Sequence, residues 1–154
     1  MIKQNKLIGA ELDSSSQVIE TSQLERLRHI YGAMDMGSLI KSGELDRNQV
    51  LGFPHFPPFL LGSLINSEKI HKVLDLNRNN ILLCREAVSD LMHIKAGDVV
   101  FLKTFLADAY EQRATNNPIG FIVLHIFGWL NNELAFHCER TLAVRGGFLR
   151  GKKT

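Results

Sequence analysis

The stretch Gly52–Ile65, GFPHFPPFLLGSLI, decides how this chain is organised. Three prolines interrupt the backbone, and an apolar run then begins at Phe59. Pro57 and Pro58 have a preset φ and no N–H donor, which suits the first turn of a helix and nothing deeper inside it. The continuation, FLLGSLINSEKIHKVLDL, predicts a helix of about four to five turns at ~1.5 Å per residue. Its first half is apolar on nearly every side, so it is expected to be buried all round. Four apolar, β-branched segments follow, with no second helix of comparable length. One buried helix followed by strands predicts an α+β domain whose sheet wraps around that helix.

Upstream, Val18-Ile19 reads as a short first strand. Thr21 or Ser22 offers an N-cap oxygen, and Glu25 completes a capping-box pattern with Ser22. Leu24, Leu27, Ile30 and Tyr31 then fall on one face of a predicted amphipathic helix that Gly32 can end. Residues 35–50 are polar and Gly-interrupted, and read as a loop with at most one short helix.

Downstream, Asn77-Arg78-Asn79-Asn80 is a predicted turn, followed by an apolar segment over Ile81–Ile94. Gly97-Asp98 makes the next turn, and Val99–Tyr110 and Ile119–Leu130 are predicted strands separated by Asn116-Asn117-Pro118. Asn131-Asn132-Glu133 is a tight hairpin signal. In the last strand, Leu134, Phe136, Cys138, Arg140, Leu142 and Val144 face one way, and Ala135, His137, Glu139, Thr141 and Ala143 the other. Strands joined by such short turns run antiparallel, so an antiparallel meander is expected.

With 154 residues, 45% of them apolar and 22% charged, the chain has the length and composition of a single globular domain spanning 1–154. No apolar stretch reaches the roughly 18 residues of a membrane span. The N-terminus lacks a signal-peptide core, and a cytoplasmic location is the expectation. The net charge of +2 argues against a nucleic-acid partner. Cys84 and Cys138 sit in strand-like segments without neighbours at metal-ligand spacing, so both are expected to be buried thiols, and neither a metal nor a cofactor is expected.

Four pieces carry a resemblance: LERLRHIYG (Leu24–Gly32), PPFLLG (Pro57–Gly62), IKAGDVV (Ile94–Val100) and ERTLAVRG (Glu139–Gly146). Their order and spacing resemble a MaoC-like hotdog domain, in its N-terminal FAS1-like dehydratase variety. The resemblance implies a curved sheet around the central helix, a homodimer or heterodimer, and a tunnel for an acyl-CoA or acyl-carrier-protein thioester at the subunit junction. Members of the family hydrate trans-2-enoyl thioesters or dehydrate (3R)-hydroxyacyl thioesters. Active members use an Asp and a His from a G-D-x-N-P-[LIV]-H signature after the first helix. Adding water across a conjugated thioester needs a base on the water and a proton donor at the α-carbon. It also needs donors for the enolate-like oxygen, which a helix N-terminus supplies.

After Tyr31-Gly32 this chain reads Ala33-Met34-Asp35-Met36-Gly37-Ser38, so Ala33 takes the place of the catalytic Asp and no His follows in the window. That departure favours a subunit that pairs with a catalytic MaoC-like chain supplying the Asp and His. Asp35 is either a turn residue or a displaced catalytic acid. His55, close before Pro57-Pro58, is either a loop histidine or a catalytic group near the thioester carbonyl. Pro57, Pro58, Phe59 and Gly62, at the start of the central helix, are the implied substrate-binding positions. The alternatives are a non-catalytic acyl-CoA or acyl-carrier-protein binding module and, behind it, a hotdog thioesterase.

Overall fold

Between Ile119 and Leu130 every second residue is buried, from Gly120 through Ile122, Leu124 and Ile126 to Leu130. That period of two makes the segment a strand with one covered face. The computed structural model describes residues 3–22, 64–90, 96–112 and 116–148. They contain strands β1 (Glu11–Val18), β2 (Ile81–Asp90), β3 (Val99–Gln112), β4 (Ile119–Leu130) and β5 (Glu133–Arg145). Helix α1 (Ser67–Val73) lies between β1 and β2 in sequence. The sheet order is β1-β3-β4-β5-β2, with every neighbouring pair antiparallel. The class is α+β, as expected. The amphipathic helix expected at Leu24–Tyr31 and the loop at 35–50 lie outside the described residues; Thr21 and Ser22, the expected caps, are themselves helical.

The expected meander holds for β3, β4 and β5 alone. β2 does not return beside β3; it pairs with β5 at the far edge, and β1 takes the place next to β3. The Gly97-Asp98 turn shows why. Gly97 N donates to Ile19 O and Ile19 N donates to Asp98 O, each at 2.8 Å, so this turn is bonded to the end of β1 rather than closing a hairpin with β2. The Asn131-Asn132 hairpin is as expected. Both residues have positive φ, 50° and 66°, the pair of left-handed conformations that a two-residue turn demands and asparagine tolerates.

The first strand is longer than Val18-Ile19. Its sequence, ELDSSSQV, carries little apolar alternation: Ser14 and Ser16 are exposed, while Ser15 turns inward with its Oγ buried. A bulge between Glu11 and Asp13 buries Leu12 and Asp13 in succession.

The helix expected to run unbroken from Phe59 is interrupted. Leu64 is helical, Ile65 and Asn66 are not, and α1 starts afresh at Ser67. Asn66 caps it, its Oδ1 accepting from Lys69 N at 3.1 Å. At the other end Asp75 takes φ 56°, with Leu76 N donating to His71 O and Asp75 N to Lys72 O, a Schellman closure. Besides an exposed Lys3–Asp75 ion pair at 3.4 Å, three polar contacts tie this region to the N-terminal segment. Gln17 Nε2 donates to Leu64 O, Lys69 Nζ meets Asp13 Oδ1 at 2.7 Å, and Gln4 Nε2 donates to Leu74 O at 2.8 Å. Among the described residues no helix is long and apolar enough to cross a membrane.

Ile70 and Leu74 pack onto Leu106, Ile122, Leu124 and Leu142, while Leu64 packs onto Val100, Ile126 and Phe136. The sheet thus has a helix-covered inner face. Two expected positions change at its rim. Leu134 is expected to share a face of β5 with Phe136, but a bulge opposite Gly128 and Trp129 shifts the register there. Ala135 is buried instead, and Leu134 is exposed. Gly128 provides the room: a Cβ there would lie 2.0 Å from the buried Phe136 ring. Cys138 is buried as expected, but Cys84 is exposed, because it falls where the β2–β5 register slips between Leu83 and Arg85.

Candidate functional site

The residues singled out in the sequence, Asp35, His55, Pro57, Pro58, Phe59 and Gly62, all lie outside the described residues. The structure does describe the continuation of that segment, from Leu64 through α1, and a cavity beneath it.

The cavity, of about 170 Å³, opens between α1 and the inner face of the sheet. Its apolar walls come from Ile70, Ile81, Leu124 and Leu142. Ser67 and His71, one turn apart on α1, bring a hydroxyl and an imidazole, and Arg140 of β5 brings a guanidinium. A water occupies roughly 30 Å³ of liquid, so the space suits a short aliphatic segment and not a large ligand.

Arg140 is held from the neighbouring strand. Its Nε and Nη2 donate to Glu86 Oε1 at 3.2 and 2.7 Å, and the two side chains are only 14% and 19% exposed. An ion pair this covered costs desolvation that only close hydrogen bonding offsets, and the shared oxygen fixes the guanidinium plane. Cys138 Sγ also donates to Glu86 Oε1, at 3.6 Å. Burial first, and then the Glu86 charge, push the Cys138 thiol up to about 12. It stays a thiol at neutral pH and is no nucleophile.

Burial holds the His71 imidazole below its ordinary value, and the nearby Arg78 charge adds to the effect. A neutral imidazole accepts through one nitrogen and donates through the other. The cavity therefore offers a fixed cation, a neutral acceptor-donor and a hydroxyl at its polar wall, with aliphatic side chains opposite. That combination suits a ligand with a carbonyl or anionic head and an apolar chain. Among the described residues no cluster of His, Cys, Asp and Glu could hold a metal ion.

Arg140 was legible: it interrupts the inward series Phe136, Cys138, Leu142 and Val144, and an inward charge demands a partner. Glu86 and His71 gave no such signal, because their positions depend on β2 lying beside β5 and on how α1 is turned. His125 and His137 meet across the β4–β5 pair with a diagonal geometry. His125 lies opposite Glu139 and His137 opposite Phe127, and the imidazole centroids are 4.9 Å apart. Trp129 stands on the outer face, against Phe101 and Phe127.

No protein-family model matches the chain, and no curated protein matches it. Solved structures do. The MaoC-like dehydratase from Rhodospirillum rubrum superposes with a TM-score of 0.62 at 9% identity, over 95% of this chain and 97% of that one. The HadBC (3R-hydroxyacyl-ACP dehydratase) complex from Mycobacterium tuberculosis gives 0.62 at 12% identity, over 89% and 96%. The (R)-hydratase from A. caviae gives 0.54 at 14% identity, over 88% and 94%. The fold is the hotdog fold in the form these MaoC-like dehydratases and hydratases share.

Proposed function

We propose that this chain is an acyl-thioester-binding subunit of the (3R)-hydroxyacyl dehydratase and enoyl hydratase group. In this reading it is a FAS1-like MaoC domain acting in the cytoplasm on coenzyme A or acyl-carrier-protein thioesters. A partner hotdog chain supplies the Asp/His pair. The observation that carries the reading is a hotdog likeness spanning 95% of the chain and 97% of a MaoC-like dehydratase. Ala33, where that signature has its Asp, supports the need for a partner.

The roles follow from chemistry. On this reading Pro57, Pro58, Phe59 and Gly62 are the thioester-binding positions, where backbone N–H groups from Phe59 onward would meet the carbonyl oxygen. The cavity under α1 takes the acyl segment along Ile70, Leu124 and Leu142, with Arg140 and His71 at its polar wall. Edge strand β2 offers a partner its outer backbone edge, flanked by Leu82 and Leu83 at 57% and 55% exposure. Exposed apolar edge strands are ready templates for pairing with another chain.

The test is hydration of crotonyl-CoA and a longer enoyl-CoA by the chain alone and by its complex with an Asp/His-bearing hotdog chain. The reading expects silence alone and turnover in the complex. Turnover by the isolated chain that His55→Ala or Asp35→Asn abolishes would instead place a relocated catalytic group in this chain. A non-catalytic acyl-binding module is the second reading, favoured by the same Ala33; tight binding of acyl-CoA without turnover in either form would select it.

A further inference from the structure

The outer face of the sheet is unusual for a surface that should meet water. One face of an antiparallel sheet is commonly solvated and polar. Here Phe101, Phe105 and Tyr110 of β3 and Phe121, Phe127 and Trp129 of β4 all point outward. Their rings pack on one another, Phe101 with Trp129 at 6.1 Å, Phe127 with Trp129 at 6.0 Å and Tyr110 with Phe121 at 5.2 Å.

The register of the strands arranges this face about its middle row, where Phe105, His125 and Glu139 lie side by side. Toward one end the next outward residue of β3 is Lys103, and toward the other it is Asp108. Beyond Lys103 comes the aromatic pair Phe101 and Trp129; beyond Asp108 comes the pair Tyr110 and Phe121. A two-fold axis along the middle row would therefore lay aromatic on aromatic and Lys103 against Asp108 of a second copy. An open groove of about 470 Å³ between Phe101, Lys103, Trp129, Asn131 and Asn132 lies where Tyr110 of that copy would enter.

We infer that this face is a self-complementary interface, closed by a second copy of the chain packed sheet to sheet. Phe101 and Tyr110 are 38% and 41% exposed, and Val18 and Val99 at one end are each 54% exposed. At ~150–250 Å² per aromatic side chain, the outward rings and their aliphatic flanks present on the order of 600 Å² of apolar surface. With the polar rows included, that approaches the ~800 Å² per partner of a standard interface. It lies at the top of the ~300–600 Å² that the largest apolar patch of a monomer commonly spans. Such packing is isologous, as two-fold dimers require. It leaves edge strand β2 free and is independent of the acyl-thioester reading.

The experiment is sedimentation equilibrium of the full chain with its variants, together with acrylamide quenching of Trp129, the sole tryptophan. The wild type is expected to associate, and Phe101→Lys to weaken that association at least tenfold while exposing Trp129 to quencher. Lys103→Asp should weaken it too, and adding Asp108→Lys should restore it, an outcome that a merely misfolded variant would not give. Leu83→Arg, on the β2 edge, should leave face-to-face pairs intact. A single-copy mass for the wild type at micromolar concentration would overturn the inference. So would masses unchanged by Phe101→Lys and Lys103→Asp, or reduction of Leu83→Arg to single copies.

Discussion

Arg140 Nη2 donates to Glu86 Oε1 at 2.7 Å from the adjacent position on the neighbouring strand, with both side chains on the helix-covered face of the sheet. The pair joins the β2 edge to the rest of the sheet and orients the guanidinium at the wall of the cavity under α1. Removing one partner leaves a covered, uncompensated charge.

Glu86→Gln is therefore expected to destabilise the fold by about 2–3 kcal/mol, somewhat below the ~3–5 kcal/mol of a fully buried broken pair. The double variant Glu86→Leu with Arg140→Met should recover most of that loss, since a matched apolar pair owes no desolvation. Urea unfolding of the three proteins checks this. A double variant less stable than Glu86→Gln would show that the pair is not the source of the effect.

Acid sensitivity should track His137. Its Nε2 is buried without a hydrogen-bond partner among the described residues. Burial first, then the charge of His125, hold its imidazole below the ordinary 6.5, against a weaker upward pull from Glu139. The unfolded chain thus takes the proton more readily than the folded one. This contribution to stability is present above about pH 6.5 and is lost as the pH falls through the folded pKa. His71, lowered by burial and Arg78, acts in the same direction. Thermal unfolding between pH 8 and pH 5 should show a smaller acid loss for His137→Phe than for the wild type; equal losses would count against this source.

Gly128→Ala should be among the costly small substitutions. The added methyl would sit 2.0 Å from Phe136, whose side chain is fully buried and cannot move aside cheaply. Overpacking of this kind costs about 1–3 kcal/mol. Pairing it with Phe136→Leu should relieve part of the strain, which denaturation midpoints would show as non-additivity.

The two thiols should separate in a titration with a thiol reagent. Cys84 is exposed and should react in the native protein. Cys138, buried and pushed up to about 12, should react only on unfolding. Cys84→Ser would then abolish the native reaction, and a remaining fast thiol would contradict the burial of Cys138.

Local patterns carried much of the fold. The apolar segment between two turn signals placed β4 at Ile119–Leu130, and Asn131-Asn132 marked its hairpin. Asn66-Ser67-Glu68 is also a local helix start, set inside an apolar run whose strength concealed it. Such features are written in neighbouring residues, because φ preferences, caps and the pleat act over a few positions.

What the sequence determined by itself was therefore the class, the strands β3 to β5 with their turns, and the alternation of faces along β5 from Phe136 to Val144. Tertiary structure alone decided that β2 crosses to pair with β5 while β1 takes the place beside β3. It also decided that Glu86 thereby reaches Arg140, that His71 shares their cavity, and that six aromatic rings gather on the outer face. Strand pairing at long separation is settled by the summed burial and hydrogen bonding of a whole sheet. No single residue's preference encodes that sum, so the meeting of distant side chains appears only once the sheet is closed.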